Sequence, residues 1–175
     1  MKLRTVFFRF FIPTFVVTIY YAIRFRAKVS LRSEVELSSF ITLGEKTSIG
    51  SFSKVKASDG PLTIGRNVAI SNGCSIFSHG EGIKIGDDCL ISPNVSLIST
   101  NYIYSDLNRP IRVQGSRSRG IIVKNNVWVG TGVVILDGAH IGSGTIIAPN
   151  SVVSTKIPDN VIVQGNPAKV IFTRR

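Results

Sequence analysis

The stretch IIVKNNVWVGTGVVILDGAHIGSGTIIAPNSVVS, residues 121–154, repeats one six-residue pattern from end to end. An aliphatic residue returns at every sixth place: Val123, Val129, Ile135, Ile141, Ile147 and Val153. Four places after most of them stands a small or β-branched residue, namely Val127, Val133, Thr145 and Ser151. Each unit is a short strand followed by a turn, and one unit alone cannot bury its apolar side. We therefore expect the units to stack as coils around one continuous core.

The same period extends towards the N-terminus in three further blocks. Its aliphatic positions, expected to point inward, are Leu31, Leu37, Leu43, Ile49 and Val55, then Ile64, Ile70 and Ile76, then Ile85, Ile91 and Leu97. Three units make an eighteen-residue coil, but Leu43, Ile64 and Ile85 stand 21 residues apart. The three extra residues per coil, PLT at 61–63 and GIK at 82–84, are therefore expected to bulge from one corner of successive coils.

Four segments carry a resemblance to a known family: IKIGDDCLISPNVSLIS (83–99), RPIRVQG (109–115), the opening stretch 121–154, and KIPDNVIVQGNPAKVI (156–171). In this order they resemble the hexapeptide-repeat acyltransferases. The resemblance is closest to the branch that holds maltose, galactoside and nodulation-type acetyltransferases and the O-acetyltransferases of capsule and lipopolysaccharide synthesis. It implies an all-β fold, a left-handed parallel β-helix of hexapeptide repeats, over residues 31–171. It also implies a homotrimer that binds acetyl-CoA in a groove between neighbouring β-helices.

Residues 1–30 differ from the repeat, because VFFRFFIPTFVVTIYYAI (6–23) is apolar and aromatic with basic residues on both sides. Its longest uncharged run has fourteen residues, fewer than the roughly 20 that span a bilayer. We expect a helical segment, and two placements stay open. One is an interfacial helix on an anionic membrane through residues 1–28, and the other is a helix packed on the domain or on a neighbouring subunit. At the opposite end, residues 172–175 form a basic tail.

The chain of 175 residues carries 21 Lys and Arg against 10 Asp and Glu, a formal charge of +11. Excess positive charge attracts nucleic acid, an anionic membrane surface or a phosphorylated ligand. The repeat has no Lys/Arg runs interleaved with aromatics, so no nucleic-acid partner is expected. Cys74 and Cys89 fall at expected interior positions, which predicts buried, reduced thiols in a cytosolic protein. Two histidines are too few for a zinc site, so no bound metal is expected.

The segment 101–120 interrupts the repeat, and the resemblance implies that it is the loop that reaches across to the adjacent subunit. In the family, a histidine at the start of this loop acts as general base towards the acceptor. Both flanks align that histidine with Tyr102, and the loop contains no histidine. Tyrosine donates and accepts hydrogen bonds, but with an ordinary pKa near ~10 it is a poor base at neutral pH.

His79 is the alternative base, because a step of 21 residues places it beside Thr100, two residues before Tyr102. A structural or substrate-binding role for His79 stays open. The second histidine, His140, occupies an ordinary turn position on the far coils.

The resemblance assigns the remaining candidates by position. Asn72 matches a position that contacts the acceptor, although it is equally suited to be a corner asparagine in a left-handed turn. Asp106 matches a position that orients the acceptor or the loop, and Trp128 is expected to pack in the subunit contact. For acetyl-CoA the matching residues are Thr131, Pro149, Ser154, Thr155 and Lys169, with Lys169 facing a phosphate.

Together these features predict an acetyl-CoA-dependent O-acetyltransferase that acts on a sugar of a bacterial surface polysaccharide or its lipid-linked precursor. The expected location is cytoplasmic, peripheral on the inner face of the cytoplasmic membrane. Two alternatives stay open. One is an amino-sugar N-acetyltransferase, whose amine acceptor needs less help from a base. The other is a catalytically impaired homologue or inactivated variant that binds without turnover, because Tyr102 replaces the histidine.

Overall fold

The computed structural model describes residues 12–175, which form one helix, α1 (Thr14–Phe25), and twenty-two short strands. Consecutive strands enter three parallel sheets in turn, here called A, B and C, so that three strands complete one coil. The pairing register is regular: Ser48 pairs with Ala69, and Ala69 pairs with Leu90. This arrangement is a left-handed parallel β-helix, and it confirms the fold that the six-residue period predicts.

Each sheet is a ladder of strands from successive coils. Sheet A contains β1 (Lys28–Val29), β4 (Ser48–Ile49), β7 (Ala69–Ile70), β10 (Leu90–Ile91), β15 (Trp128–Val129), β18 (Ile146–Ile147), β21 (Val161–Gly165) and the antiparallel β22 (Ala168–Thr173). Sheet B contains β2 (Glu34–Val35), β5 (Lys54–Ala57), β8 (Ser75–Ser78), β11 (Ser96–Ile98), β16 (Val134–Leu136) and β19 (Val152–Val153). Sheet C contains β3 (Ile41–Leu43), β6 (Leu62–Ile64), β9 (Ile83–Ile85), β14 (Ile121–Val123), β17 (His140–Ile141) and β20 (Lys156–Ile157).

The predicted inward positions from Leu43 to Val153 are all buried in one core. Cys74 and Cys89 lie in the same core, which confirms their predicted interior placement. Because the coils stack, the N–H and C=O groups of each strand pair with the coils on either side, for example Ser48 N–H with the carbonyl of Val68 at 2.9 Å. The core is therefore continuous along the whole β-helix.

The first coil has a different phase from the one that the period predicts. Leu31 and Leu37 are 60% and 39% exposed, so the prediction that they point inward is wrong. Val29 and Val35 are buried in their place, because β1 pairs with β4 across a step of 20 residues. Counting back in sixes from Leu43 misses this step, and the pairing register decides which side chains face the core.

The predicted bulges at 61–63 and 82–84 are also wrong. Leu62 and Ile83 are buried, and they pair with each other in β6 and β9. The extra residues lengthen strands β6 and β9 of sheet C. Because side chains alternate between the two faces of a strand, two more strand positions bring one more aliphatic side chain into the core. The turns between sheets B and C are residues 58–61 and 79–82, to which each triplet contributes only its first residue, Pro61 or Gly82.

The three sheets meet at three edges, named edge AB, edge BC and edge CA after the sheets that they join. Edge AB runs through residues 50–53, 71–74, 92–95, 130–133 and 148–151. Edge BC runs through residues 58–61, 79–82, 99–120, 137–139 and 154–155. The long segment of edge BC is the interruption of the repeat, so the loop begins and ends at this edge.

Helix α1 packs on the first coil with one side. Val17 and Tyr21 are buried, and the Tyr21 hydroxyl donates a hydrogen bond to the Glu36 carbonyl at 2.7 Å. Burial raises the pKa of the Tyr21 phenol far above its ordinary value. β1 begins at Lys28, within the predicted helical segment 1–30, and residues 1–11 of that segment lie outside the described residues. Within residues 12–175, no helix has the length and apolarity needed to cross a membrane.

Candidate active site

Both ends of the loop are tied to the backbone of His79 at edge BC. The His79 carbonyl accepts hydrogen bonds from the hydroxyls of Ser99 at 3.0 Å and Ser118 at 2.9 Å. The His79 N–H in turn donates to Ser99 Oγ at 2.8 Å. One residue of the third coil thus fixes where the loop leaves the β-helix and where it returns.

Two glycines allow this close approach. Gly80 and Gly82 adopt left-handed φ values of 53° and 88°. A Cβ on Gly80 would lie 2.6 Å from the Cβ of Ser118, and a Cβ on Gly82 would lie 2.3 Å from the carbonyl oxygen of Pro61. Because any side chain would collide at these positions, Gly80 lets the returning loop lie directly against the corner that carries His79, and Gly82 lets this corner lie against the coil before it.

The His79 ring is held by a carboxylate from the coil before it. Its Nδ1 lies 2.8 Å from Oδ1 of Asp59, and its side chain remains 35% exposed. The backbone N–H of Gly80 adds a longer contact of 3.4 Å to the same carboxylate oxygen. The other ring nitrogen, Nε2, has no hydrogen-bond partner within residues 12–175. Sequence reasoning did not identify Asp59, although SDG (58–60) lies at the same corner, one 21-residue step before HGE (79–81), and carried the signal.

Tyr102 lies at the stem of the loop. Strand β12 (Asn101–Tyr102) pairs antiparallel with β13 (Ser116–Arg117), so that Tyr102 is opposite Ser116. Its side chain is 64% exposed, and its hydroxyl makes no hydrogen bond to the described part of the chain. The position that the resemblance assigns to the family's histidine is therefore occupied by an exposed tyrosine side chain.

The loop beyond this stem is braced by one side chain. Oε1 of Gln114 accepts the Asp106 N–H at 3.1 Å, and Nε2 of Gln114 donates to the carbonyls of Asp106 at 2.8 Å and Arg109 at 2.7 Å. The Asp106 carboxylate accepts the Asn108 N–H at 3.0 Å, which makes a local turn. Asp106 therefore lies in the loop's own framework, and Gln114, which sequence reasoning missed, holds it.

A buried carboxylate fixes the end of the loop. Oδ1 of Asp137 accepts the backbone N–H groups of Arg119 at 2.6 Å and Gly120 at 3.0 Å. The Arg119 guanidinium lies 3.5 Å from Oδ2 of the same side chain, which is fully buried. Asp137 was also missed by sequence reasoning, because an aspartate before a glycine in a turn looks ordinary.

The other predicted residues divide between two edges. Asn72, Thr131 and Pro149 lie on edge AB, whereas Ser154 and Thr155 lie on edge BC with His79. Asn72, Thr131, Pro149 and Thr155 are exposed, whereas Ser154 and His79 are half-buried. The strands of sheet B separate the two edges on every coil, so one chain does not bring the two groups together.

Asn72 has a structural contact of its own. Its Oδ1 accepts the Ser51 N–H at 2.9 Å and occupies the place where a Cβ on Gly50 would stand. Its Nδ2 makes no hydrogen bond to the described residues. Asn72 thus stabilises edge AB with one atom and keeps two N–H donors available with the other.

Two further candidates lie on outer strand faces. Lys169 is exposed on β22, where it pairs with Gln164. Trp128 lies on the outside of sheet A, and its Nε1–H donates to Ser92 Oγ at 3.2 Å.

His140 is exposed on sheet C between Ile122 and Lys156, away from the loop stem. In residues 12–175, no group of three or more His, Cys, Asp or Glu side chains is arranged to hold a metal ion.

The chain is similar to several known proteins. A family model described as bacterial transferase hexapeptide (six repeats) matches residues 120–155. An Escherichia coli K12 protein named "Putative lipopolysaccharide biosynthesis O-acetyl transferase WbbJ" is 29% identical over 147 residues, which cover 84% of this chain and 67% of that relative. The galactoside O-acetyltransferase of the same organism is 37% identical over 111 residues, 63% of this chain and 53% of the relative. The chain thus matches between about half and two thirds of the length of these relatives.

Among solved structures, a mutant of AntD, an N-acyltransferase from Bacillus cereus in complex with dTDP and coenzyme A, superposes with a TM-score of 0.76 at 21% identity. The superposition covers 85% of this chain and 82% of that chain. At this level of identity the likeness bears on the fold.

Proposed function

Because residues 120–155 match the hexapeptide transferase model and the chain is similar to proteins named as O-acetyltransferases, we propose that it is a hexapeptide-repeat acetyltransferase that transfers the acetyl group of acetyl-CoA to a hydroxyl group of a sugar. The proposed acceptor is a sugar of a bacterial surface polysaccharide or its lipid-linked precursor. The names of the relatives support this class of acceptor, since one is named for lipopolysaccharide biosynthesis and another for galactosides.

The observation that carries the proposal is the division of the candidate residues between edge AB and edge BC. Edge AB carries Asn72 and Thr131, and edge BC carries His79 and Thr155. A reaction that needs both sets requires edge AB of one copy to face edge BC of another. We therefore propose that the protein acts as a homotrimer, with acetyl-CoA in the grooves between copies.

The exposed side chains fit this co-substrate. Thr131, Pro149 and Thr155 offer small surfaces suited to a narrow pantetheine arm, and Lys169 offers a cation for a phosphate. The exposed tip of the loop fits a second copy as well, because Leu107 is 95% exposed and residues 12–175 leave it uncovered. A loop that reaches over a neighbouring β-helix would cover this leucine.

The test is an acetyl-transfer assay with three acceptor classes: neutral saccharides, lipid-linked saccharides and amino sugars. Release of the CoA thiol measures turnover, and mild alkaline treatment of the product tells an ester, which is hydrolysed, from an amide, which survives. An alkali-labile acetylated saccharide supports the proposal. An alkali-stable product would instead assign the amino-sugar reaction, which the exposed tyrosine in place of a loop histidine favours. If the protein binds acetyl-CoA but releases no CoA thiol in the presence of any of the three acceptor classes, it is a non-catalytic homologue.

We further propose that helix α1 lies against an anionic membrane with its outer side. The exposed apolar residues of this side are Phe15, Val16, Ile19, Tyr20 and Ile23. Exposed basic residues follow at the end of the helix: Arg24, Arg26 and Lys28. An apolar stripe beside cations complements the acyl boundary and the anionic headgroups of a lipid surface. The inner side of α1 packs on the first coil. Packing on the domain and contact with a membrane are therefore compatible, because they use opposite sides of the helix.

Sedimentation with vesicles tests this placement. Ile19→Glu is expected to weaken binding to vesicles that contain anionic lipid by about tenfold or more, because it removes buried apolar area and adds a repelled charge. Ile122→Glu, on the outside of sheet C, makes the same change far from the helix and serves as control. Equal binding by the wild-type protein and Ile19→Glu would remove the membrane from the proposal.

A further inference from the structure

We propose that the pair Asp59–His79 is the general base of the reaction, with His79 as the catalytic residue and Asp59 as a positioning residue. The inference rests on the proposed acetyl transfer and adds to it the atom that receives the acceptor's proton. Asp59 has no counterpart among the residues that the sequence pattern assigns. The pair replaces the histidine that the loop lacks.

The contact between the two side chains fixes the tautomer of the ring. A carboxylate only accepts hydrogen bonds, so the 2.8 Å contact from Asp59 Oδ1 requires the proton of neutral His79 to be on Nδ1. Nε2 then carries a lone pair, and it has no partner within residues 12–175. A histidine oriented in this way by an aspartate is the arrangement that serine hydrolases use to activate a hydroxyl group.

The backbone of His79 is fixed as firmly as its ring. Its N–H and C=O are both engaged, by Ser99 and Ser118 at the two ends of the loop. The ring therefore has a defined position relative to the loop stem, where Thr100 and Tyr102 lie. A base on the rigid coil needs no loop movement to reach its working position, which favours it over a group on the loop.

Tyr102 has none of these supports. Its hydroxyl has no hydrogen-bond partner within the described chain, and no carboxylate or histidine contacts it there to take up its proton. An exposed phenol at the stem can contact an acceptor by hydrogen bonding or stacking. The role that its position suggests is thus acceptor contact, while proton removal belongs to His79.

The step balances without any further reactant. The acceptor oxygen forms a bond to the thioester carbon as Nε2 of His79 takes the hydroxyl proton, and the imidazolium is stabilised by the Asp59 carboxylate. The C–S bond then breaks, and the CoA sulfur leaves and receives the proton from His79. The acetyl group ends on the acceptor oxygen, and His79 returns to its Nδ1–H form.

The closing experiment combines a spectroscopic readout with kinetics. The chain has two histidines, so His140→Gln assigns the ring signals of His79 in long-range proton–nitrogen correlation spectra. We expect the Nδ1–H tautomer in the wild-type protein. In Asp59→Asn the amide can donate to Nδ1, so we expect the proton to move to Nε2, with acetyl-transfer kcat reduced by about 10²–10⁴-fold and the KM for acetyl-CoA nearly unchanged.

The controls separate this inference from the proposed function. His140→Gln is expected to retain full activity, and His79→Gln is expected to lose as much as Asp59→Asn. An Nε2–H tautomer in the wild-type protein, or substantial transfer by His79→Gln, would overturn the assignment of the base. Wild-type protein that shows the expected tautomer but transfers acetyl to no acceptor would instead refute the proposed function, and the base with it. Unchanged thermal midpoints show that the variants remain folded.

Discussion

At the residue scale, the two cysteines show how the coil geometry controls a side chain. Cys74 and Cys89 are fully buried, and their sulfurs lie 3.3 Å and 3.2 Å from the carbonyls of Ser92 and Lys124 on the next coil. Burial is the main cause that raises the pKa of both thiols. The thiols thus act as weak donors inside the core, and the thiolate that reagents attack is disfavoured.

This predicts protected thiols and a stability that falls in alkali. In the native protein at pH 8 neither cysteine should react with a thiol reagent within the time in which both react in denaturant. The unfolded chain loses thiol protons near ~8.5, below the folded pKa values, so the thiols' contribution to the free energy of unfolding is complete below that pH and declines above it. Denaturant unfolding between pH 7 and pH 10 should therefore show a smaller decline for Cys74→Ala/Cys89→Ala than for the wild-type protein. Rapid labelling of the native protein would contradict the prediction.

At the element scale, the loop is a self-supporting unit rather than an unstructured insertion. Its ends are fixed by His79 and by Asp137, and its middle is cross-linked by Gln114 through three hydrogen bonds. A short 3₁₀ turn at Ile111–Val113 precedes this glutamine and presents two exposed apolar side chains. The loop thus has a defined shape before any partner covers it.

Replacing the glutamine tests this description. Gln114→Ala removes all three hydrogen bonds, each of which contributes about 0.5–1.5 kcal/mol to stability. We expect the loop to become more mobile while the β-helix stays folded. Gln114→Glu is the matched comparison, because it keeps an acceptor for the Asp106 N–H and loses both donors. Hydrogen exchange should show faster exchange of the amide of Asp106 in Gln114→Ala, with unchanged protection of Val134 in β16. Equal exchange at Asp106 in Gln114→Ala and the wild-type protein would show that the brace is unimportant.

The sequence predicted the repeating elements well and the connections poorly, for one physical reason. Burial at every sixth residue follows from the period, and it holds from Leu43 to Val153. Leu31 and Leu62 were misplaced because register depends on which strands pair, and pairing across coils of 20 or 21 residues is not a local property. Asp59 was not identified because its partner His79 lies on the next coil. Gln114 was not identified because its contacts to Asp106 and Arg109 depend on how the loop folds back on itself, which no repeat predicts.

At the scale of the whole molecule, the outer faces of sheets A and C differ in polarity. The outer row of sheet A begins with Lys28 and Ser48 and is apolar from there on, through Ala69, Leu90, Trp128, Ile146, Ile162 and Phe172. The outer row of sheet C runs through Thr42, Thr63, Lys84, Ile122, His140 and Lys156. A continuous apolar row on one face is typical of a surface that another protein covers. The division of the candidate site between edges AB and BC makes a second copy of this chain the expected partner.

Leu90→Glu therefore should weaken self-association of the protein. Leu90 is 55% exposed in the single chain, so the change should leave the fold intact, but a glutamate in the centre of a covered apolar row would be desolvated without a partner. Ile122→Glu is the matched control, since Ile122 is also a partly exposed aliphatic residue on an outer strand face, at 38%. Light scattering with size-exclusion chromatography should give a trimer for the wild-type protein and for Ile122→Glu, and smaller species for Leu90→Glu.

The same pair of variants connects assembly to activity. If the groove between copies holds acetyl-CoA, Leu90→Glu should lose acetyl transfer in proportion to its loss of trimer and regain it at high protein concentration, where mass action restores the assembly. Ile122→Glu should remain active at all concentrations. A monomeric Leu90→Glu with full activity would mean that one chain holds the complete site, and the residues of edge AB would then have no part in the reaction. A wild-type protein that is monomeric at micromolar concentration would likewise exclude a composite site, because the two edges cannot meet within one β-helix.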